Sequence, residues 1–306
     1  MSAGSAPTLG RREIHPAPLI DGRPASNHTA GRLRRRMQRL LVSNGEREEA
    51  EVERRIRMHP GVTRPNTIAL ISPKGGVGKT LSTFVVGNVL ASHLKLRAVA
   101  VDANPDFGTL ARLAPDVRRS ERSLADLLDD AERLSTAAEL GPYVSRLPTG
   151  LHVLGAHRDA ELTARLGPDR YGELVAFLGT FYEVVLLDLG TGVAGPLAKF
   201  AIDRADQLVL VTTPEWVTST IVLEALAHLR HERTTVALNK SYLRSAEVQA
   251  IEDRFRAEHL HRAVTIPYDE QLATMLDAGP YTLAALERPT RLAIKRLGLA
   301  VAEQLA

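Results

Sequence analysis

The chain has 306 residues, 44% of them hydrophobic, and a formal net charge of +3. That apolar content can bury one large core or two small ones, and the charge excess is too small to imply a nucleic-acid partner by itself. There is no cysteine, which excludes disulfides, thiolate metal sites and iron–sulfur clusters.

In chain order, residues 1–29 are rich in Ser, Ala, Pro, Gly and Asn, and a disordered tail is expected there. Residues 30–66 are expected to form a basic and charged helical extension with a linker. Leu33, Met37, Leu40 and Leu41 recur at helical spacing among arginines. Beyond Gly45 a Glu/Arg segment sets Val52 and Ile56 four apart, which predicts two short amphipathic helices, or one broken at Gly45. Pro60, Gly61 and Pro65 then lead into the first strand. The Arg32–Arg39 cluster reads either as a solvated helix face or as a contact for DNA phosphates, anionic lipid or an acidic protein. Its apolar neighbours favour docking on protein. The basic N-terminus lacks the apolar stretch of a secretory leader, and no run is long enough to span a bilayer, so a cytoplasmic location is expected.

Over residues 67–306 strands and helices alternate, which predicts one α/β domain with a doubly wound, mostly parallel sheet flanked by helices. Strands are expected at Thr67–Ser72, Ala98–Asp102, Leu151–Leu154, Val184–Asp188, Gln207–Thr212, Thr235–Asn239 and Ala263–Ile266. Several are continuous apolar runs, as in strands buried on both faces. Helices are expected at Thr80–Leu94, Ser123–Asp130, Tyr171–Gly179, Ser219–Leu229, Ala246–His259 and Thr290–Gln304. In the last of these, Leu292, Ile294, Leu297, Val301 and Leu305 should pack on the sheet, leaving Arg291, Lys295 and Arg296 exposed. No separate membrane tail follows, so no direct membrane contact is expected.

Ser72-Pro-Lys-Gly-Gly-Val-Gly-Lys-Thr80 joins the first strand to the first of these helices. A strand, a glycine loop and a helix start are what a triphosphate-binding loop requires. Gly75, Gly76 and Gly78 let the backbone curl its N–H groups round phosphate oxygens, and the helix N-terminus adds its partial positive charge. Lys79 can reach the β- and γ-phosphates, and the Thr80 hydroxyl can ligate Mg²⁺. Val77 and Leu81 complete the candidate nucleotide-binding stretch. A strict P-loop has glycine at position 73, where this chain has Pro73, and Lys74 adds a second lysine.

Lys74-Gly-Gly-Val-Gly-Lys-Thr80 resembles the deviant Walker A motif of the MinD/ParA family of dimerising P-loop ATPases. The resemblance continues along the chain, through residues 67–280. Asp102 matches the first position of the family's Asp-x-Asp loop, which organises the Mg²⁺ site. The second position, which positions or activates the attacking water, is Asn104. Asparagine can hold a water but cannot take its proton, a loss on the order of 10²-fold in rate for an essential base. Asp106 is a candidate substitute. Val184–Asp188 followed by Gly190 resembles Walker B, with Asp188 on the Mg²⁺ shell. Thr213-Pro214-Glu215 resembles a loop near the nucleotide and the partner subunit. Asn239 resembles the strand-end asparagine that reads adenine, and Ile266-Pro267 the loop that closes over the base. The arginine-rich extension resembles that of actinobacterial MinD-like ATPases, some associated with type VII secretion.

The resemblance implies an ATP/ADP and Mg²⁺ site, with Thr80, Asp102 and Asp188 at the metal and Lys74, Lys79, Asp102 and Asn104 as catalytic candidates. It implies an ATP-bound homodimer in which Lys74 reaches the partner's nucleotide, and a slow switch that positions or assembles an unknown protein cargo under an activating partner. Two alternatives stay open. One is a partition ATPase whose dimer coats DNA without sequence preference; the other is a nearly inactive nucleotide-binding scaffold.

Overall fold

The computed structural model describes residues 44–104, 108–115, 118–156, 166–228, 231–242, 245–257, 260, 262–278 and 281–306. The expected tail, the Arg32–Arg39 cluster and Asp106 lie outside the described residues. Gly45–Ala306 form one compact unit, which takes in residues 45–66 of the expected extension.

Eight strands make one sheet. They are β1 (Asn66–Ile71), β2 (Ala98–Ala103), β3 (Ser145–Arg146), β4 (His152–Leu154), β5 (Val184–Leu189), β6 (Gln207–Thr212), β7 (Thr234–Ser241) and β8 (Ala263–Pro267), in the order β3-β4-β2-β5-β1-β6-β7-β8. All neighbours are parallel except β3 and β4. The two-residue antiparallel β3 was not foreseen, because so short a strand leaves no periodicity to read. The seven expected strands are all present.

The central strands have no solvated face. β2, β5 and β6 are buried at every position, which explains their unbroken apolar sequences. Ile68 and Leu70 enter one apolar layer, while Ala69 and Ile71 enter the other. The first layer lies under α2 (Lys79–Ser92) and the C-terminal helix Arg288–Ala302; the second includes α3 (Leu124–Asp130) and the helix Pro168–Gly179. Ser123 caps α3 through a reciprocal bond with Asp126. Two further helices, Pro196–Arg204 and Glu270–Ala278, were not foreseen.

Within the sheet β1 lies between β5 and β6, while the chain runs from β1 outward to β2. The order therefore reverses beside β1, and its carboxyl end opens a crevice where such sheets bind ligands. The glycine loop follows β1 directly.

The C-terminal helix departs from expectation at its basic residues. Leu292, Ile294, Leu297 and Val301 are buried as predicted, but Lys295 is only 4% exposed. Its cover is the helix over 45–57, called α1, whose Val52 and Ile56 enter the same apolar layer. Glu49 accepts from Lys295 at 2.8 Å and from Arg291 at 2.6 Å, Glu53 also pairs with Lys295, and Arg296 pairs with Glu48. Ion pairing makes it possible to bury an ammonium, and the partner carboxylates sit some 240 residues earlier in the chain. The Arg291 and Lys295 contacts hold Glu49 down at about 2, below the usual carboxylate range near 4.5. A depressed pKa adds stability above about pH 4.5, and that stability is lost as the pH falls through about 2. Glu49→Gln should cost roughly 3 kcal/mol at pH 7. In urea melts the gap from wild type should narrow as the pH is lowered from 4.5 toward 2. A gap that stays constant with pH would show that the pairing is not its cause.

Candidate functional site

Asp102 lies near the end of β2 and Asp188 near the end of β5, and the two are register partners on adjacent parallel strands. Both are buried, at 0% and 1% exposure. Asp102 Oδ2 accepts the backbone N–H of Leu110 at 2.9 Å, and Oδ1 that of Asn104 at 3.4 Å. Burial and the neighbouring Asp188 push Asp102 up to about 7. Burial also raises Asp188; Lys79 and the Thr80 and Thr83 hydroxyls offset part of that rise. Neither Asp188 oxygen accepts a hydrogen bond of normal geometry, and Thr83 instead turns its hydroxyl to the Lys79 carbonyl at 3.1 Å.

Two adjacent buried carboxylates, one without a well-formed hydrogen bond, fit a hard divalent cation that takes oxygen ligands. Among the described residues no group of three or more His, Cys, Asp or Glu side chains makes a metal site alone. A cation here would complete its shell with the Thr80 hydroxyl, ligand oxygens and water.

The loop itself is set by left-handed glycines. Gly76 has φ +75° and Gly78 φ +93°, a pattern that turns successive N–H groups toward one point. Gly78 caps α2. A Cβ on Gly78 would lie 2.0 Å from Asn239 Nδ2, so both conformation and contact require glycine here. Val77 is buried and Leu81 packs on the apolar layer, which leaves their backbone for a ligand. Gly108, beyond the segment that follows Asn104, also has no room for a side chain: a Cβ would lie 2.3 Å from Asp102 Oδ2.

The two lysines of the loop part company. Lys79 acts electrostatically on both buried carboxylates. Lys74 is 52% exposed and turns to the segment after β6, where a helix starts at Trp216, with Nζ 3.2 Å from Thr218 Oγ1 and 3.5 Å from Glu215 Oε2. The post-β5 loop is tied back by the Gly192 N–H, which donates to the Ser72 carbonyl at 2.9 Å.

On the β7–β8 side, Asn239 is 2% exposed and donates Nδ2 to the Val77 carbonyl at 2.9 Å. The structure thus gives Asn239 a grip on the glycine loop that sequence reasoning did not foresee. Lys240 was missed altogether; its Nζ donates to the Gly76 carbonyl at 2.9 Å. Pro267 ends β8 opposite Ser241, and the next residue, Tyr268, donates its N–H to Ser241. The tyrosines that follow these strand ends, Tyr242 and Tyr268, stack with centroids 4.7 Å apart. No sequence signal marked the Lys240 contact, because it depends on a left-handed backbone at a non-glycine residue, φ +56°.

The profile of the CobQ/CobB/MinD/ParA nucleotide-binding domain matches residues 68–280. Over 174 residues, 57% of this chain, the sequence is 30% identical to the ESX-1 secretion-associated protein EspI of Mycobacterium tuberculosis; the match spans 25% of that protein's length. A ParA family ATPase of Chlorobium tepidum superposes with a TM-score of 0.61 at 20% identity, covering 75% of this chain and 97% of that one. The septum site-determining protein MinD of Pyrococcus horikoshii, complexed with Mg-ADP, superposes with a TM-score of 0.58 at 21% identity, covering 76% and 94%.

Proposed function

The chain belongs to the CobQ/CobB/MinD/ParA nucleotide-binding family, and from that premise we propose that it is a Mg²⁺- and ATP-dependent dimerising switch with slow hydrolysis. The observation that carries this reading is the divergence of the two loop lysines. Lys79 acts electrostatically on the chain's own carboxylates, whereas Lys74 is half exposed beside Glu215. A cation held in that position is available to a second subunit's triphosphate. A ligand bound across two subunits stabilises the dimer by mass action, and loss of the γ-phosphate removes that stabilisation.

The residues present suit each part of the site. Gly75–Gly78 and the first turn of α2 bind the phosphates, and Lys79 neutralises them. Thr80, Asp102 and Asp188 would hold Mg²⁺, which supplies charge neutralisation at the β- and γ-oxygens. Asn239 offers its Oδ1 to a base, and Pro267 stands at the adjoining strand end. Asn104 can orient a water but not deprotonate it, which supports slow turnover. The same residue favours the second reading, a scaffold that binds nucleotide and barely hydrolyses it. The cargo is a protein of unknown identity; non-specific DNA is the alternative occupant of the dimer surface.

Size by light scattering with ADP and with ATP, beside phosphate release, tests the proposal. Wild type should dimerise with ATP alone, and Lys74→Ala should stay monomeric. Asn104→Asp should raise turnover by on the order of tenfold or more, the scale of general-base catalysis. A particle size indifferent to nucleotide, with no turnover in any variant, would leave the scaffold.

A further inference from the structure

We propose that Lys240 is a positioning residue for the triphosphate, which acts with Asn239 to fix the direction of two successive peptide groups in the glycine loop. This rests on the nucleotide reading above and adds a residue to it. Lys240 Nζ binds the Gly76 carbonyl and Asn239 Nδ2 binds the Val77 carbonyl, each at 2.9 Å. In a trans peptide the C=O and the following N–H point in opposite directions. Drawing the Gly76 and Val77 oxygens toward the end of β7 therefore turns the Val77 and Gly78 N–H groups away from it, into the concavity of the loop. These are the groups an anion must meet.

Consecutive strand residues normally face opposite sides of a sheet, so Asn239 and Lys240 should not reach the same loop. They do so because the β7–β8 pairing is irregular between Leu238 and Ser241 and because Lys240 has φ +56°. A left-handed lysine costs conformational energy that surrounding structure must offset, and such strain gathers at functional positions. The contact also has a charge consequence. The Lys240 ammonium, held on the Gly76 carbonyl, adds positive potential beside the loop.

The test is calorimetric titration of the full chain with Mg-ATP and with inorganic tripolyphosphate, which has no base. Lys240→Met should weaken both ligands by the same factor, roughly tenfold to a hundredfold. Lys240→Arg should recover most of the loss. Lys240→Gly relieves the backbone strain, so it should melt no lower than wild type yet bind as weakly as Lys240→Met. A loss confined to ATP would make Lys240 a base contact and overturn the proposal, as would unchanged affinity or full binding by Lys240→Gly. Wild type that binds neither ligand would overturn the nucleotide reading itself, a result distinct from variants failing beside a wild type that binds.

Discussion

Replacing Asp188 with asparagine should raise the melting temperature of the nucleotide-free chain while removing most of its Mg²⁺-dependent affinity for ATP. The physical reason is that the folded chain buries this carboxylate without a well-formed hydrogen bond and beside a second carboxylate. A buried charge left in that state costs about 1–3 kcal/mol or more, and the amide that replaces it has the same shape without the charge. Relief of that size corresponds to roughly 2–10 °C in a domain of this length. Binding moves the other way. A metal-facing carboxylate worth about 3 kcal/mol corresponds to on the order of a hundredfold in affinity. That loss should be seen with Mg²⁺ and vanish in chelator. Thermal melts and titrations with and without the cation decide it; a variant that melts lower and keeps its cation-dependent affinity would refute the assignment.

Asp102 gives the same trade-off a pH signature. Its pKa in the folded chain is raised from 3.8 to about 7. The stability linked to it is present below pH 3.8 and lost as the pH rises through about 7. The Asp188 charge is one cause of that rise, so Asp188→Asn should flatten the slope over this interval.

Gly78→Ala should cost several kcal/mol of stability and abolish phosphate binding together. An alanine at φ +93° is strained by about 1–2 kcal/mol. Its Cβ would also sit 2.0 Å from Asn239 Nδ2. Asn239 would have to leave, and the Val77 carbonyl would lose its donor at a further cost of about 1–3 kcal/mol. The double variant Gly78→Ala with Asn239→Ala removes the collision and keeps the backbone strain. It should therefore cost less than the sum of the two single changes. Denaturant melts of the four species measure this. Strict additivity would mean that the two residues do not meet as described.

The chain's sequence determined the architecture because its signals are local. Continuous apolar runs at 184–189 and 207–212 suit strands covered on both faces, and glycines at 75, 76 and 78 between a strand and a helix suit a loop that turns its N–H groups inward. Asp188 stood out in the sequence as an acid near the end of such a strand, where the structure places it. The tertiary structure alone decided what depends on distant partners. Lys295 reads as exposed on its own helix, yet carboxylates of a helix some 240 residues earlier bury it. Asn239 reads as a base contact, yet it also grips Val77 across 162 residues of chain. Lys240 has no signature, since a left-handed lysine is stable only where an irregular strand end and the Gly76 carbonyl together hold it. Periodicity and residue type report what a segment prefers; the charge and hydrogen-bond partners that it meets are set by which strands the fold places side by side.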